Sequence, residues 1–168
     1  MFARYSRHIR ILLIAIVAVS GFAIYRAYNS PPDVNLDGLQ LKNLDGTAFD
    51  FKKLYGKKLF INYWATWCPD CLREIPSIES AMKQCDTNSV VFVMVSDEPA
   101  EKINAYLAKH DYPMTFVRID KHFQELGINS IPMTYIYDEK GNLTYTYVGT
   151  NKWDDPAMLK IIQAGVEK

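Results

Sequence analysis

The stretch that decides the fold is residues 58–71, which have the sequence Lys-Leu-Phe-Ile-Asn-Tyr-Trp-Ala-Thr-Trp-Cys-Pro-Asp-Cys. The first eight of these residues form a nearly continuous apolar run of strand length, typical of a strand buried at the centre of a sheet. The run leads directly into Cys68 and Cys71, which have two residues between them. A buried strand followed by this C-x-x-C pair predicts a redox-active dithiol at a strand-to-helix junction.

The spacing of the two cysteines suits thiol–disulfide exchange, which requires one thiolate that attacks and a second thiol that resolves the mixed disulfide. Cysteines three residues apart at the start of a helix lie close together. The free N–H groups of the first helical turn stabilise the thiolate of the first cysteine. We therefore expect Cys68 to be the attacking nucleophile and Cys71 the resolving thiol. Pro69 suits the first helical position, where its missing N–H is no loss.

Other uses of a C-x-x-C pair fit the sequence poorly. A zinc site needs a second pair of ligands, but Cys85 stands alone and the three histidines show no ligand spacing relative to it. Covalent haem attachment requires a histidine directly after the second cysteine, and residue 72 is Leu. We therefore expect no metal ligand and no cofactor beyond the redox-active disulfide itself. Cys85 is interpreted as a half-buried residue at the end of a helix.

Outward from this stretch, the periodicity of apolar residues predicts strands that alternate with helices. The first expected element is a hairpin over 39–51 with its turn at Asp45-Gly46. Strands at 58–65, 90–95 and 114–119 then alternate with helices over 69–84 and 100–110 and a short helix at 121–126 that Gly127 closes. A hairpin of 133–137 and 143–148 and a final helix capped by Asp154 or Asp155 complete the domain. Alternation of this kind implies a parallel central sheet with helices on its faces, to which the hairpins add antiparallel strands. The sequence predicts one mixed α/β domain.

The N-terminal segment is almost entirely apolar between Arg10 and Arg26. Its fifteen uncharged residues fall somewhat short of the roughly 20 of a full membrane span, but flanking arginines and tyrosines can extend it. Three arginines precede the run, which predicts a cytoplasmic N-terminus and an exported remainder. We expect a cytoplasmic N-terminus and transmembrane anchor over 1–28, a linker over 29–33 and the folded domain over 34–168. The alternative is a signal peptide cleaved near Ala18-Val19-Ser20.

Charge is unevenly distributed along the chain. Residues 1–32 hold four arginines and no acidic residue, which leaves fifteen basic and nineteen acidic residues, a net charge of −4, in the remainder. Nucleic-acid binding requires a basic face. We therefore expect no nucleic-acid partner.

Residues 63–71 and the segment Ser130-Ile131-Pro132-Met133-Thr134 closely resemble the thioredoxin superfamily, in its membrane-anchored TlpA/ResA-like branch. The resemblance covers about residues 34–165. It implies a thioredoxin-like fold, with a central mixed sheet flanked by helices, an N-terminal β-hairpin and a central insertion at about 97–127. It also implies a cis Ile131–Pro132 bond that faces the redox pair. Ile131 and Pro132 would then contact the substrate, together with Trp67 at the rim of the site.

The sequence departs from thioredoxin in ways that concern redox direction. Asn62 stands where thioredoxin has a buried acid, and Glu74 aligns with a carboxylate that ResA-like reductases place beside the pair. Glu74 could relay a proton to or from Cys71, or it could be a helix-surface or first-turn acid that favours the helix dipole. Asp70 puts a negative charge near both sulfurs, which disfavours the thiolate. A less stabilised thiolate makes the pair less oxidising.

Together these features predict an exported disulfide reductase for envelope proteins, for example in cytochrome c maturation, located in the periplasm or extracytoplasmic space. A membrane electron donor would regenerate it. One alternative is a periplasmic oxidase or isomerase with the same residues and the opposite redox poise. A weaker alternative is a copper- or peptide-binding module that uses the fold without turnover.

Overall fold

The computed structural model describes residues 2–29, 31, 32, 34 and 36–164. Two compact units divide the chain between residues 31 and 32, close to the predicted start of the domain. The first unit contains helix α1 (Phe2–Asn29). Its segment Arg7–Tyr25 is long and apolar enough to cross a membrane, with a mean hydropathy of 2.0, although a signal sequence has the same properties. Residue 1 of the predicted anchor, residues 30 and 33 of the predicted linker, and residues 35 and 165–168 of the predicted domain lie outside the described residues.

In the second unit, the described residues form one mixed sheet with helical elements on both faces. Its strands are β1 (Leu41–Asn43), β2 (Ala48–Phe49), β3 (Lys58–Tyr63), β4 (Val90–Ser96), β5 (Thr115–Ile119), β6 (Met133–Tyr137) and β7 (Leu143–Val148). The α-helices are α2 (Pro69–Gln84), α3 (Ala100–Leu107) and α4 (Pro156–Ala164), and short 3-10 helices cover Leu36–Gly38, Phe51–Leu54 and Phe123–Leu126. The strand order is β2-β1-β5-β4-β3-β6-β7. Strands β3, β4 and β5 are parallel and the remaining pairs are antiparallel, which confirms the predicted sheet.

Element boundaries differ from the prediction at several ends. The first hairpin turns at Asp45-Gly46 as expected, with φ +88° at Gly46, but its strands have only three and two residues. The predicted second strand ends early because the Asp50 carboxylate accepts the Lys52 N–H and starts a 3-10 helix. Of the two candidate caps for α4, Asp155 accepts the Ala157 N–H at 3.0 Å.

Strand β3 is buried on both faces, which explains its apolar sequence. Phe60 and Trp64 belong to a core that includes residues of α2, α3 and α4. Leu59 and Ile61 point to the opposite core, which the 3-10 helices cover. Asn62 lies on the α-helical side of the strand and is fully buried. This buried polar residue of β3 therefore faces α2.

The carboxyl ends of the parallel strands meet at one edge of the sheet. Strand β3 ends at Tyr63 and its neighbour β4 ends at Ser96, while the antiparallel β6 begins at Met133. The segments that follow or precede these ends carry the two cysteines, an acidic pair at 97–98 and Pro132. This edge is where open α/β sheets generally hold their ligands.

Candidate active site

The redox pair lies at the N-terminus of α2, as the sequence predicts. Cys68 is the N-cap residue and Pro69 occupies the first helical turn. The Cys71 N–H donates to the Cys68 sulfur at 3.2 Å. The two sulfurs form a disulfide, with the Cα atoms 5.3 Å apart. A first-turn N–H directed at Cys68 can stabilise a thiolate there once the disulfide is reduced.

The two sulfurs differ in their access to the surface. Cys68 is 5% exposed, and its sulfur lies 3.8 Å from the Ile131 carbonyl oxygen. Cys71 is completely buried. Trp67 is 66% exposed beside the pair, and the Ile131–Pro132 bond is cis, as the resemblance implies. Cys68 is therefore the more accessible of the two cysteines, and it lies beside the exposed Trp67 and the Ile131 carbonyl.

Glu74 lies behind the pair, one helical turn beyond Cys71. It is only 1% exposed, so the alternative interpretation as a helix-surface acid is wrong. One carboxylate oxygen accepts the Asn62 amide at 2.8 Å. The other accepts the Asn151 N–H at 3.0 Å and the Trp153 indole N–H at 3.1 Å. The carboxyl group is buried here because the α2 face that carries Cys71 and Glu74 packs against the sheet.

Burial raises the pKa of Glu74 above its ordinary value of 4.5. The hydrogen bonds from Asn151, Asn62 and Trp153 act in the opposite direction, and the nearby Asp70 charge adds to the increase. Desolvation is the largest effect, since a buried carboxylate loses water that these three donors only partly replace. Glu74 therefore keeps its proton to a higher pH than an exposed glutamate.

Asn62 links Glu74 to the neighbouring strand. Its amide also donates to the Thr134 hydroxyl at 2.9 Å, and the two residues are directly opposite in the β3–β6 ladder. In the part of the chain that the structure describes, the Asn62 side-chain oxygen has no hydrogen-bond partner. Position 62, where thioredoxin has a buried acid, is thus an asparagine in this chain. Its amide binds the buried carboxyl of Glu74 on α2.

Asp70 has a partner that the sequence analysis did not consider. Its carboxylate lies 2.7 Å from the Arg73 guanidinium, and both side chains are more than half exposed. Solvent and the arginine together weaken the field of Asp70 at the sulfurs. The effect of Asp70 on the redox pair is therefore smaller than the sequence argument assumes.

Glu98 belongs to the site, although the sequence analysis did not single it out. It is 5% exposed, and both carboxylate oxygens bind Thr66, one at 2.6 Å to the backbone N–H and one at 2.9 Å to the hydroxyl. These bonds hold the turn between β3 and Cys68. One feature of the sequence could have indicated this role. Glu98 comes two residues after the end of β4, which lies parallel and adjacent to β3, so its side chain lies near the segment that follows β3.

Asn151 and Trp153 were also missed, because only the packing of the segment before α4 onto α2 brings them to Glu74. Cys85 caps the C-terminus of α2, which confirms its predicted place, but it is buried, with 8% exposed, rather than half-buried. Burial raises the pKa of the Cys85 thiol. Among the described residues, no group of three or more His, Cys, Asp or Glu side chains could hold a metal ion.

Comparison with known proteins gives consistent matches across the second unit. The Redoxin family model matches residues 27–162. The thioredoxin-like protein YneN of Bacillus subtilis is 36% identical over 151 residues, covering 83% of this chain and 88% of the relative. The thiol-disulfide oxidoreductase ResA of Halalkalibacterium halodurans is 26% identical over 150 residues, covering 83% and 85%.

A solved structure also matches this fold. It is a thiol:disulfide interchange protein of the thioredoxin family from Chlorobium tepidum, with a TM-score of 0.62 and 25% identity. The match covers 80% of this chain and 98% of that one. The sheet and the helices around it are therefore thioredoxin-like.

Proposed function

The chain belongs to the Redoxin family and is a thiol–disulfide oxidoreductase, and we propose that it works as a disulfide reductase on the exported side of a membrane. The observation that carries the proposed direction is the acidic surroundings of the redox pair. Glu74 lies behind Cys71, and Glu98 holds Thr66 just before Cys68. Arg73 neutralises only Asp70.

Negative charge around the pair disfavours the thiolate of the reduced form. A pair whose reduced form is poorly stabilised gives up its electrons more readily, whereas strong oxidants of this class owe their potential to a stabilised reduced form. When Glu74 is ionised, its buried charge is screened less by solvent than the charge of the exposed Asp70, so it disfavours the thiolate more strongly.

The reaction proceeds by two exchanges. The Cys68 thiolate attacks one sulfur of the substrate disulfide, forming a mixed disulfide and releasing the other substrate sulfur, which takes up a proton. The Cys71 thiol loses its proton and attacks the Cys68 sulfur, which releases the second substrate thiol. The substrate gains two electrons and two protons, and the Cys68–Cys71 disulfide is formed.

Each site residue has a role in this scheme. Glu74 accepts the Cys71 proton in the second exchange, because its carboxyl lies one turn away in a dry environment and is tuned towards protonation. Trp67, Ile131 and Pro132 contact the substrate around Cys68. Pro69 and Asp70, between the cysteines, tune the redox potential.

The N-terminal helix supports a membrane location. In our proposal, residues 1–28 hold a cytoplasmic N-terminus and an uncleaved anchor, 29–33 form a linker, and 34–168 form the exported domain. A membrane dithiol donor returns two electrons to the disulfide by the reverse exchanges. The substrates are disulfides of envelope proteins, and apocytochrome c during its maturation is one candidate.

The reduction potential of the pair tests the proposed direction. We expect a value near the thioredoxin level of about −270 mV, measured by equilibration of the detergent-solubilised full chain with glutathione or dithiothreitol buffers. A value near about −120 mV would contradict the proposal and favour the oxidase or isomerase alternative.

Fractionation of cells tests the location. We expect the intact chain to stay in the membrane after an alkaline wash, and external protease to digest its domain in spheroplasts. Release of a shortened chain would instead indicate a cleaved signal peptide.

A further inference from the structure

A cavity of about 260 Å³ opens next to the exposed side of the redox pair. Its lining includes Trp67, Asp97, Phe123, Ile128 and Ile131. Two of these residues flank the reactive sulfur, since Trp67 directly precedes Cys68 and the Ile131 carbonyl lies 3.8 Å from that sulfur. A polypeptide whose cysteine reaches Cys68 therefore brings its neighbouring side chains to the mouth of this cavity.

The size of the cavity suits one side chain. Pockets for small-molecule ligands have volumes of about 300–1,000 Å³. This cavity is smaller than that range, yet it has room for a long side chain. In an extended peptide, residues follow one another at about 3.3 Å and alternate in direction. The side chain that enters thus belongs to a residue within about two positions of the substrate cysteine.

Asp97 gives the cavity its charge. One of its carboxylate oxygens, Oδ2, accepts the Phe123 N–H at 3.2 Å and lies 3.6 Å from the His122 imidazole. Its other oxygen, Oδ1, accepts no hydrogen bond from any residue that the structure describes. The Asp97 side chain is only 15% exposed, whereas that of His122 is 79% exposed and largely in solvent. Asp97 therefore offers a largely desolvated carboxylate oxygen to a donor that enters the cavity.

The walls suit the rest of a cationic side chain. Phe123 and Ile128 are buried and apolar, and they can cover the methylene stem of a lysine or arginine. The exposed Trp67 ring can hold a cation against its face. An acidic side chain would meet repulsion from Asp97, and a neutral one would bring no opposite charge to its carboxylate. The net charge of −4 on residues 33–168 also favours the approach of cationic substrates.

We propose that this cavity selects substrates in which a lysine or arginine lies within two residues of the disulfide cysteine, with Asp97 as the residue that determines the preference. The inference rests on the proposed disulfide exchange at Cys68. It adds a requirement on the substrate sequence that the redox pair alone does not impose.

The test uses short peptides with a central cysteine in disulfide linkage to thionitrobenzoate, a coloured leaving group. One of the four positions around the cysteine, from two before to two after, carries Lys, Arg, Gln or Glu in an otherwise identical peptide. Single-turnover release of thionitrobenzoate by the pre-reduced, detergent-solubilised full chain gives the rate of attack by Cys68.

At one of these positions we expect Lys and Arg peptides to react about three- to tenfold faster than the Gln peptide, and the Glu peptide to react more slowly. The preference should shrink at high salt, because ions screen a partly exposed pair. Equal rates for Lys, Gln and Glu at all four positions would overturn the inference while leaving the proposed function intact.

The Asp97→Asn variant tests whether Asp97 causes the preference for Lys and Arg peptides. The asparagine oxygen can still accept the Phe123 N–H, so the variant removes mainly the charge. We expect its Lys and Arg peptides to lose their advantage over Gln. Asp111→Asn is the matched control, since Asp111 is exposed and does not line the cavity, and it should keep the preference. A preference that persists in Asp97→Asn would contradict the assignment.

The wild-type peptide series decides the question even if Asp97→Asn folds poorly. Failure of the proposed function would give a different result. In that case wild type would react with every peptide no faster than the Cys68→Ser variant does. That result would overturn the disulfide exchange and this inference with it.

Discussion

The two sulfurs of the Cys68–Cys71 disulfide have different surroundings. On the Cys68 side lie a backbone carbonyl, the exposed Trp67 ring and a cavity that opens to solvent. On the Cys71 side lies a closed network in which Asn62, Asn151 and Trp153 all donate to Glu74. The sequence predicts Cys68 as the attacking thiol from its place at the helix start, and the surroundings of the two sulfurs add a difference in exposure.

In our proposal, this difference separates two tasks of one reaction. A substrate sulfur needs a surface to approach, and only the Cys68 side has one. The resolving thiol needs protection from solvent and a group that takes its proton, and the Cys71 side has a buried carboxyl one turn away. Because the two environments are separate, a substitution on one side should affect one step more than the other.

Loss of the Cys68 thiol should have the largest effect. We expect Cys68→Ser to reduce insulin disulfides at no more than the uncatalysed rate, because Cys71 is completely buried and cannot replace the missing nucleophile. The turbidity of precipitating insulin chains with dithiothreitol as donor measures this activity. Cys85→Ser is the control and should retain activity, and catalysis by Cys68→Ser would refute the assigned asymmetry.

Loss of the Cys71 thiol should block the second step and leave the first intact. We expect Cys71→Ser to attack a disulfide substrate once and to accumulate the mixed disulfide, because nothing resolves it. Mass spectrometry of the alkylated product detects this adduct at Cys68. Equal amounts of adduct in Cys68→Ser would show that both sulfurs are accessible.

Replacement of Glu74 should slow the second step alone. We expect Glu74→Gln to reduce the rate of substrate release from the mixed disulfide by roughly ten- to a hundredfold, since proton transfer by a positioned group contributes about 10²–10⁴-fold. Stopped-flow measurement of attack and release separates the two steps. Glu79→Gln, on the same helix and paired with Lys83, should leave both rates unchanged. Equal slowing of attack and release by Glu74→Gln would instead indicate a structural defect.

The smallest expected effect is on how stability depends on pH. Because the pKa of Glu74 in the folded protein is raised above 4.5, the folded state binds this proton more tightly than the unfolded state does. The resulting stabilisation is complete below about pH 4.5 and is lost as the pH rises through the raised pKa.

The matching measurement is urea unfolding of the oxidised protein between pH 4 and pH 8. Glu74→Gln stays neutral throughout, so its free energy of unfolding should improve relative to wild type as the pH rises. If the free energies of unfolding of the two proteins change in parallel with pH, the raised pKa of Glu74 would be contradicted.

Several features could be predicted because they depend on neighbours in the chain. The strand before Cys68, Pro69 in the first helical turn and Cys85 at the helix end were all expected and all observed. The turn at Asp45-Gly46 belongs to the same class, since glycine readily adopts the positive φ that the turn requires. Local periodicity, caps and turn residues carry this information.

Other features depend on residues far apart in the sequence, and there prediction was weaker. Whether Glu74 was a surface acid or a site residue stayed open until the packing of α2 showed it to be buried. Glu98 was not singled out, because its contact with Thr66 requires that β4 lie beside β3. A local pairing was missed as well, since Asp70 was treated as a lone charge although Arg73 lies one turn away on the same helix.

By itself, the sequence determined that the chain has an apolar N-terminal segment, a mixed α/β domain and a C-x-x-C pair at a strand-to-helix junction. Only the tertiary structure decided which sulfur is reachable and where the buried carboxyl lies. The physical reason is that cysteine spacing is a property of one helical turn. Exposure and desolvation, in contrast, are set by the β3, β6 and pre-α4 segments that pack around that turn.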